Sequence, residues 1–266
     1  MDHLLRPLAP ISDEGWKLLD EEARERLAPA LGARRLVDFA GPRGWRHSAT
    51  ELGRTAPLKN APADGVDALQ RRVLPLVEAR ADFELSRAEL RDADRGADDV
   101  DLGPLDAAAA RLAAAENAAV FNGWKGAFEG IAAASPHAPV ALGAPQTYPA
   151  AVARALAALL ENGVAGPYGL ALGPDAYRRA IEGTEEGYPL VTHLREMLDG
   201  PIVWTPGIDG GAVVSLRGGD FVLESGLDIS IGYDSHDEQV VRLYLQESLS
   251  FHVATPEAAV VLEASG

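Results

Sequence analysis

The stretch that decides the fold is Gly226-Leu227-Asp228-Ile229-Ser230-Ile231-Gly232-Tyr233, which follows Arg217-Gly218-Gly219-Asp220-Phe221 and precedes an alternating segment from Val240 to Val253. Alternation of apolar and polar residues is typical of a half-buried strand, and glycine-rich clusters commonly separate strands as turns. The last third of the chain is therefore predicted to be sheet and not a catalytic site.

Composition narrows the class of protein. The 266 residues include 24 lysines and arginines against 40 aspartates and glutamates, a formal net charge of −16, and no cysteine. An acidic chain opposes binding to phosphate backbones, and a chain without cysteine fits a reducing cytosol. The charged, proline-broken amino terminus has no apolar run long enough for a signal peptide or a membrane span. We therefore expect a cytoplasmic protein with neither nucleic acid nor membrane as a partner.

The amino-terminal region predicts a one-faced helix. Ser12 is a suitable N-cap, and apolar residues follow at helical spacing at Trp16, Leu19, Ala23 and Leu27. The proline shortly after this run disfavours continuation of the helix. Such a face packs either into the chain's own core or against another molecule, and the spacing leaves both possibilities open.

The middle of the chain alternates polar stretches with regular elements. Residues 48–74 are rich in Thr, Gly, Pro, Asn and Asp, and a loop of this length is either functional or disordered. The predicted elements that follow are a strand at 77–85, helices at 104–122 and 149–162, a strand at 168–172, a helix opening at 174 and a helix at 190–198. The order helix, strand, helix indicates a mixed α/β subdomain.

No pattern in the chain indicates catalysis or a metal site. The aspartates between Asp92 and Asp101 fail the calcium-loop spacing, because Gly96 stands where a third ligand is needed. The six histidines have no metal-ligand spacing. The run Ser235-His236-Asp237 holds the residue types of a triad, but triad members meet through the fold and not as neighbours. We predict no catalytic residue and no bound metal.

Several segments together carry a resemblance that covers nearly the whole chain. Besides the carboxyl-terminal runs and Gln246-Glu247-Ser248-Leu249-Ser250-Phe251, they are Leu4 to Ile11, Gly32 to Phe39, Gly41-Pro42-Arg43-Gly44-Trp45, Gly166-Pro167-Tyr168 and Gly187-Tyr188-Pro189. In this order and spacing they resemble the encapsulins, bacterial shell proteins with the capsid fold of Hong Kong 97 and other tailed phages.

The resemblance implies an α+β Hong Kong 97 phage major-capsid-like fold with a P-domain, an A-domain and an extended E-loop. The implied divisions are the amino-terminal helix and start of the P-domain (1–47), the E-loop (48–75), the P-domain with its spine helix (76–133), the A-domain (134–222) and the carboxyl-terminal P-domain strands (223–266). The E-loop would pair with neighbouring subunits by strand addition.

The same resemblance implies a structural shell protein and not an enzyme. Sixty copies would close into the smallest icosahedral shell (T=1) around a cargo enzyme, a dye-decolourising peroxidase or a ferritin-like protein, loaded through a C-terminal targeting peptide. A phage-derived capsid protein shares this fold and remains an alternative. A soluble α+β hydrolase is a further alternative, and the abundance of carboxylates is the only feature of the sequence that supports it.

Two sites follow from the resemblance. The expected cargo-peptide groove has an apolar part and polar partners at its edge, which are Leu27, Leu36, Ile229, Ile231 and Tyr233 with Arg34 and Asp38. Replacing Arg34 and Asp38 with alanine is expected to leave intact shells that load less cargo. The expected five-fold pore loop consists of Thr184, Glu185, Glu186, Gly187, Tyr188 and Pro189, whose repeated carboxylates would favour cations.

No cofactor is expected. Certain encapsulins carry a flavin stacked on a tryptophan in the stretch that matches Phe83 to Leu90. Here the corresponding residues are Ser86-Arg87-Ala88-Glu89, which offer no aromatic ring. The purified protein is therefore expected to be colourless.

Overall fold

A computed structural model describes residues 3–185 and 187–264. The helices of this part are α1 (Asp13–Ala30), α2 (Arg87–Asp94), α3 (Gly103–Asn122), α4 (Ile131–Ala134), α5 (Tyr148–Glu161), α6 (Pro174–Glu182) and α7 (Leu190–Leu198). The strands are β1 (Asp38–Ala40), β2 (Ala49–Leu58), β3 (Ala68–Pro75), β4 (Val77–Ser86), β5 (Val140–Ala141), β6 (Tyr168–Leu172), β7 (Thr184–Glu185), β8 (Tyr188–Pro189), β9 (Ile202–Trp204), β10 (Gly211–Ser215), β11 (Phe221–Ser225), β12 (Ser230–His236), β13 (Val240–Val253) and β14 (Ala259–Glu263).

The first sheet is organised around the long strand β13. Strand β4 pairs antiparallel along one edge of β13, while β12 and β11 pair with successive halves of the other edge, and β1 extends the sheet beside β11. The period-2 prediction for 77–85 is confirmed, because Ala79, Ala81, Phe83 and Leu85 are all buried. Strand β12 is left at the edge of the sheet.

Helix α3 covers this sheet, and α1 packs on α3. The predicted N-cap is confirmed, since the Ser12 hydroxyl accepts a hydrogen bond from the backbone N–H of Gly15 at 2.9 Å. Pro29 lies in the last turn of α1, which ends at Ala30. Helix α3 packs against α1 and β4, and four of its ten buried residues are alanines, which allow close approach. Buried Asn117 on α3 accepts from the N–H of Ala33 and donates to the carbonyl of Ala30, which fixes the chain after α1.

The second sheet has the order β5-β14-β10-β6-β9 and packs against helices α5, α6 and α7, as the helix-strand-helix order predicts. The structure divides the segment 223–266 between the two sheets, because β14 pairs antiparallel with β10. The 3-10 turn Pro256–Ala258 leads the chain from the first sheet to the second. The sequence does not predict this change of sheet, because the apolar run Ala259–Leu262 has no feature that identifies its partner strand. Strand β11, which begins at Phe221, already belongs to the first sheet.

Residues 49–75 form a two-stranded antiparallel hairpin of β2 and β3 and not an irregular loop. Its register shifts between Glu51 and Arg54, and most of its side chains are exposed. The rest of the chain holds its base, where the Thr50 hydroxyl lies 2.5 Å from the Ser250 hydroxyl and donates to Glu224 at 3.0 Å. The hairpin is therefore an arm without a core of its own.

Candidate functional site

A groove of about 290 Å³ lies between α1 and the start of the edge strand β12. Its lining residues are Asp20, Ala23, Arg24, Leu27, Ala28, Leu31, Arg34, Asp228, Ile229, Ser230, Ile231 and Leu245. Four of the seven residues predicted for the cargo-peptide groove are among them, namely Leu27, Arg34, Ile229 and Ile231. The amphipathic helix thus forms one wall of the groove and the Asp-Ile-Ser-Ile run forms the other.

The amino-terminal segment occupies part of the open edge of β12. The N–H of Tyr233 donates to the carbonyl of Leu4 at 2.8 Å, and Arg6 Nε donates to the carbonyl of Ile231 at 2.8 Å. Arg6 also makes two hydrogen bonds to the carboxylate of Asp20 and lies over the Trp16 ring. These contacts tie the segment to both walls and define one end of the groove.

Three predicted groove residues lie elsewhere. Leu36 is buried, and it lines a separate cavity together with Asp38, whose carboxylate accepts the N–H of Gly219 at 2.5 Å. Tyr233 is also buried, with its hydroxyl 2.6 Å from Nδ1 of His236. The 3-10 turn Ala33–Arg35 changes the chain direction, and this explains why residues only two and four positions after Arg34 do not reach the groove.

Arg34 connects the groove to a buried cluster of acidic side chains. Its Nε and Nη2 donate to the Glu116 carboxylate at 2.5 to 3.0 Å, Nη1 donates to Asp228 at 2.8 Å, and Nη2 lies 3.4 Å from Glu247. The guanidinium also stacks on the Phe39 ring at 4.5 Å. Burial alone would lower the pKa of Arg34, but the hydrogen bonds and charge of Glu116 outweigh it and raise that pKa.

This geometry changes the expectation for Arg34→Ala. Glu116 and Glu247 are each 1% exposed, so removal of the guanidinium would leave two buried carboxylates without their cation. We therefore expect the substitution to destabilise the subunit, and cargo loading by this variant cannot report on the groove alone. Arg24 and Ala28 are exposed on the same wall and are better positions for testing the groove.

Sequence reasoning missed several groove residues that a helical pattern could have identified. Asp20, Arg24 and Ala28 on α1 and Leu31 directly after it recur at spacings of three and four, which places them on one face. Asp228 lies within the run that decides the fold, but its ion pair with Arg34 depends on a contact distant in sequence.

The predicted pore loop forms a short hairpin in which Thr184–Glu185 pairs with Tyr188–Pro189. Gly187 has a φ of +86°, a left-handed conformation that favours glycine, and Tyr188 is exposed with its hydroxyl donating to Glu196 at 3.2 Å. Glu186 lies outside the described residues. The hairpin stands at the carboxyl end of α6 and leads directly into α7.

The run Ser235-His236-Asp237 does not form a triad. The Ser235 hydroxyl donates to Asp234, His236 Nδ1 faces the Tyr233 hydroxyl, and Asp237 accepts backbone N–H bonds in the turn before β13. Within residues 3–185 and 187–264, no group of three or more His, Asp and Glu side chains is arranged to hold a metal ion. No helix in the same part of the chain is long and apolar enough to cross a membrane.

The fold defines a class of protein, the Hong Kong 97-type capsid and shell proteins. The chain superposes on a virus-like particle protein from Pyrococcus furiosus with a TM-score of 0.65 over 93% of this chain and 99% of that one, at 20% identity. The capsid protein of an empty GTA particle matches with a TM-score of 0.53 over 89% of this chain and 90% of that one, at 15% identity. At such identities the likeness establishes the α+β capsid fold alone.

Sequence comparison gives the family. A family model described as an encapsulating protein for peroxidase matches residues 1–250. The type 1 encapsulin shell protein of Rhodospirillum rubrum is 46% identical and covers 98% of this chain and 96% of its own length. The type 1 encapsulin shell protein of Mycobacterium tuberculosis is 42% identical, with coverages of 98% and 99%. This chain therefore belongs to the family of type 1 encapsulin shell proteins, whose named members are shell components and not enzymes.

Proposed function

We propose that the chain is a structural protein whose copies assemble into a closed icosahedral shell around a cargo enzyme. The observation that carries this proposal is the capsid fold combined with family identity along nearly the whole chain. The assembly that we propose is a shell of sixty copies in the cytoplasm, which is the smallest icosahedral arrangement. The shell's contribution to metabolism is compartmentalisation, and the reaction belongs to the enclosed protein.

The hairpin of β2 and β3 supports assembly through contacts with other copies. A two-stranded ribbon is marginally stable by itself, and here Arg54 lies directly opposite Arg72, where like charges destabilise a pair. Four large apolar side chains are also exposed on this hairpin, Leu58, Val66, Leu69 and Val73. A neighbouring subunit that covers the hairpin would bury these side chains and could offer carboxylates to the arginines, since the chain carries a net charge of −16.

Deletion of residues 58–66 tests this role of the hairpin. The deletion removes the tip and leaves the two sheets with their helices intact. We expect a folded subunit by circular dichroism that fails to close into shells under electron microscopy. Normal closed shells from the deletion variant would show that the arm is dispensable.

We propose that the groove between α1 and β12 receives an extended peptide from the cargo. Both walls offer apolar side chains, which are Leu27 and Leu31 at the end of the helix and Ile229 and Ile231 at the start of the strand. Alternate side chains of an extended peptide can fill such a surface while its backbone pairs with a strand edge. The Ile231 carbonyl at that edge is already bound by Arg6, so the apolar walls and not this carbonyl support the proposal.

Co-expression identifies the cargo. A dye-decolourising peroxidase or ferritin-like protein from the neighbouring gene is expected to co-purify inside the shell when its carboxyl-terminal tail is present. The same tail fused to a fluorescent protein should bring that protein into the shell. Equal loading of the fluorescent protein with and without the tail would contradict peptide-directed loading.

We also propose that Thr184 to Pro189 surrounds a pore at the five-fold axis and that its glutamates favour cations. Rings of carboxylates lower the barrier for cations and raise it for anions. The double variant Glu185→Gln/Glu186→Gln should slow entry of iron(II) or a cationic probe and weaken the dependence of entry on salt. Unchanged entry of both cationic and anionic probes would refute the acidic pore and leave the shell assignment in place.

A further inference from the structure

Two buried carboxylates share a single cation beneath the groove. Glu116 on α3 and Glu247 on β13 are each 1% exposed, and Arg34 contacts both. The third partner of Arg34, Asp228, has a side chain that is 42% exposed and lies at the groove. The interior therefore holds one guanidinium against two carboxyl groups, with an additional carboxylate at the surface.

Full ionisation of this cluster is unfavourable. Burial of a carboxylate is costly unless a cation and hydrogen bonds compensate, and the guanidinium already forms its short hydrogen bonds with Glu116. Among the described residues, the Glu247 Oε1 atom is buried without a hydrogen-bond partner. Burial, reinforced by the negative charge of Glu116, raises the pKa of Glu247 well above its ordinary value.

The charged groups that face Glu247 come from three other parts of the chain. They are Glu116 on α3, Arg34 in the turn after α1 and Asp228 before β12. Strand β4 contributes Ala79, which stands opposite Glu247 in the ladder and carries no charge. One cation thus faces three carboxyl groups.

We propose that Glu116 and Glu247 together keep one proton in the folded subunit and act as positioning residues for Arg34 in the groove wall. With one proton present, Arg34 pairs with the Glu116 carboxylate and its Nη1 remains directed to Asp228 at the groove. Loss of the proton creates a second buried anion, which draws the guanidinium away from Asp228. The position of Arg34 in the groove wall is therefore sensitive to pH. An effect of pH on peptide binding rests on the proposed docking function, whereas the shared proton does not.

The proton has a defined effect on stability. A glutamate in the unfolded chain loses its proton near the ordinary pKa of 4.5, whereas the folded cluster keeps it to higher pH. The stabilisation by this proton is complete below the unfolded pKa and is lost as pH rises through the folded pKa. This cluster should therefore lower the Tm of the wild-type protein progressively as pH rises above 4.5.

Thermal unfolding of empty shells tests the proposal without any cargo. We compare the wild type with Glu116→Gln, Glu247→Gln and the double variant between about pH 5 and about pH 8. Each single variant leaves one buried carboxylate for Arg34 and needs no proton, so its Tm should remain close to wild type at neutral pH and depend less on pH. The double variant leaves only Asp228, and its Tm loss should exceed the sum of the single losses at every pH.

Infrared spectroscopy gives a second readout that does not depend on stability. The carbonyl stretching band of a buried protonated carboxylic acid should be present in wild-type shells at neutral pH and absent from both single variants. Three results would each refute the proposal of a shared proton. They are single variants whose Tm depends on pH as in the wild type, additive Tm losses in the double variant, and a wild-type spectrum without the band. Because no result depends on peptide binding, a failure of the docking proposal would leave this test unaffected.

Discussion

Among the residues that the structure describes, Arg34 is the one cation in contact with Glu116 and Glu247, and Arg34→Ala removes it. The Arg34 side chain is only 17% exposed and both glutamates are almost completely buried, so the substitution would leave the buried cluster without its cation. Removing one partner of a buried ion pair typically costs about 3 to 5 kcal/mol. In domains of about 150 to 250 residues, close to the size of this chain, each kcal/mol of destabilisation lowers Tm by roughly 2 to 4 °C. We therefore expect Arg34→Ala to lower Tm by about 6 to 20 °C.

The assay for this prediction is thermal unfolding of purified shells followed by fluorescence of the four tryptophans. Arg24→Ala is the matched control, because Arg24 lines the same groove, is exposed and has no ion pair among the described residues. An exposed substitution of this kind should change the unfolding free energy by no more than about 0.5 kcal/mol. If Arg34→Ala lowered Tm no more than Arg24→Ala does, the reasoning on the buried cluster would be wrong.

Two further predictions concern the groove and a surface turn. Ala28→Trp should fill the groove and exclude at least one apolar side chain of the peptide. The expected loss of binding free energy is about 1.5 to 3 kcal/mol, or at least about tenfold in affinity. Glu25→Trp is the control, because Glu25 lies on the same helix outside the groove, and this variant should load cargo normally. Equal loading by both variants would argue against the groove. Backbone N–H bonds from Gln239 and Val240 lower the pKa of Asp237 from its ordinary 3.8 to about 2, so its contribution to stability should be present above 3.8 and lost as pH falls through about 2. NMR titration of Asp237 checks this value, and an ordinary pKa would contradict it.

Local signals explain which elements the sequence predicts. The cap at Ser12, the proline near the start of α3 and the period-2 alternation of β4 each depend on neighbours in the chain, and their elements form as expected. The sequence did not predict the two strands of the hairpin at 49–75, because their side chains are mostly polar and the register shifts near Gly53. The partner of β14 is set by packing between sheets, which the strand's own residues do not encode.

The groove was only partly predictable for the same reason. Leu27 and the Ile229–Ile231 run show apolar patterns, but the positions of Leu36 and Asp38 depend on the turn at Ala33–Arg35. The acidic cluster left a signal in the sequence, since Glu116 interrupts an alanine-rich helix. Its meaning emerges only when α3 and β13 bring Glu116 and Glu247 to Arg34.

We expect this chain to form a closed protein shell. Electron microscopy combined with native mass measurement of the purified 266-residue chain tests this expectation. We predict uniform hollow particles with icosahedral symmetry and a mass of sixty subunits, the smallest icosahedral shell. A homogeneous monomer or small oligomer under conditions where the chain is folded would contradict the claim.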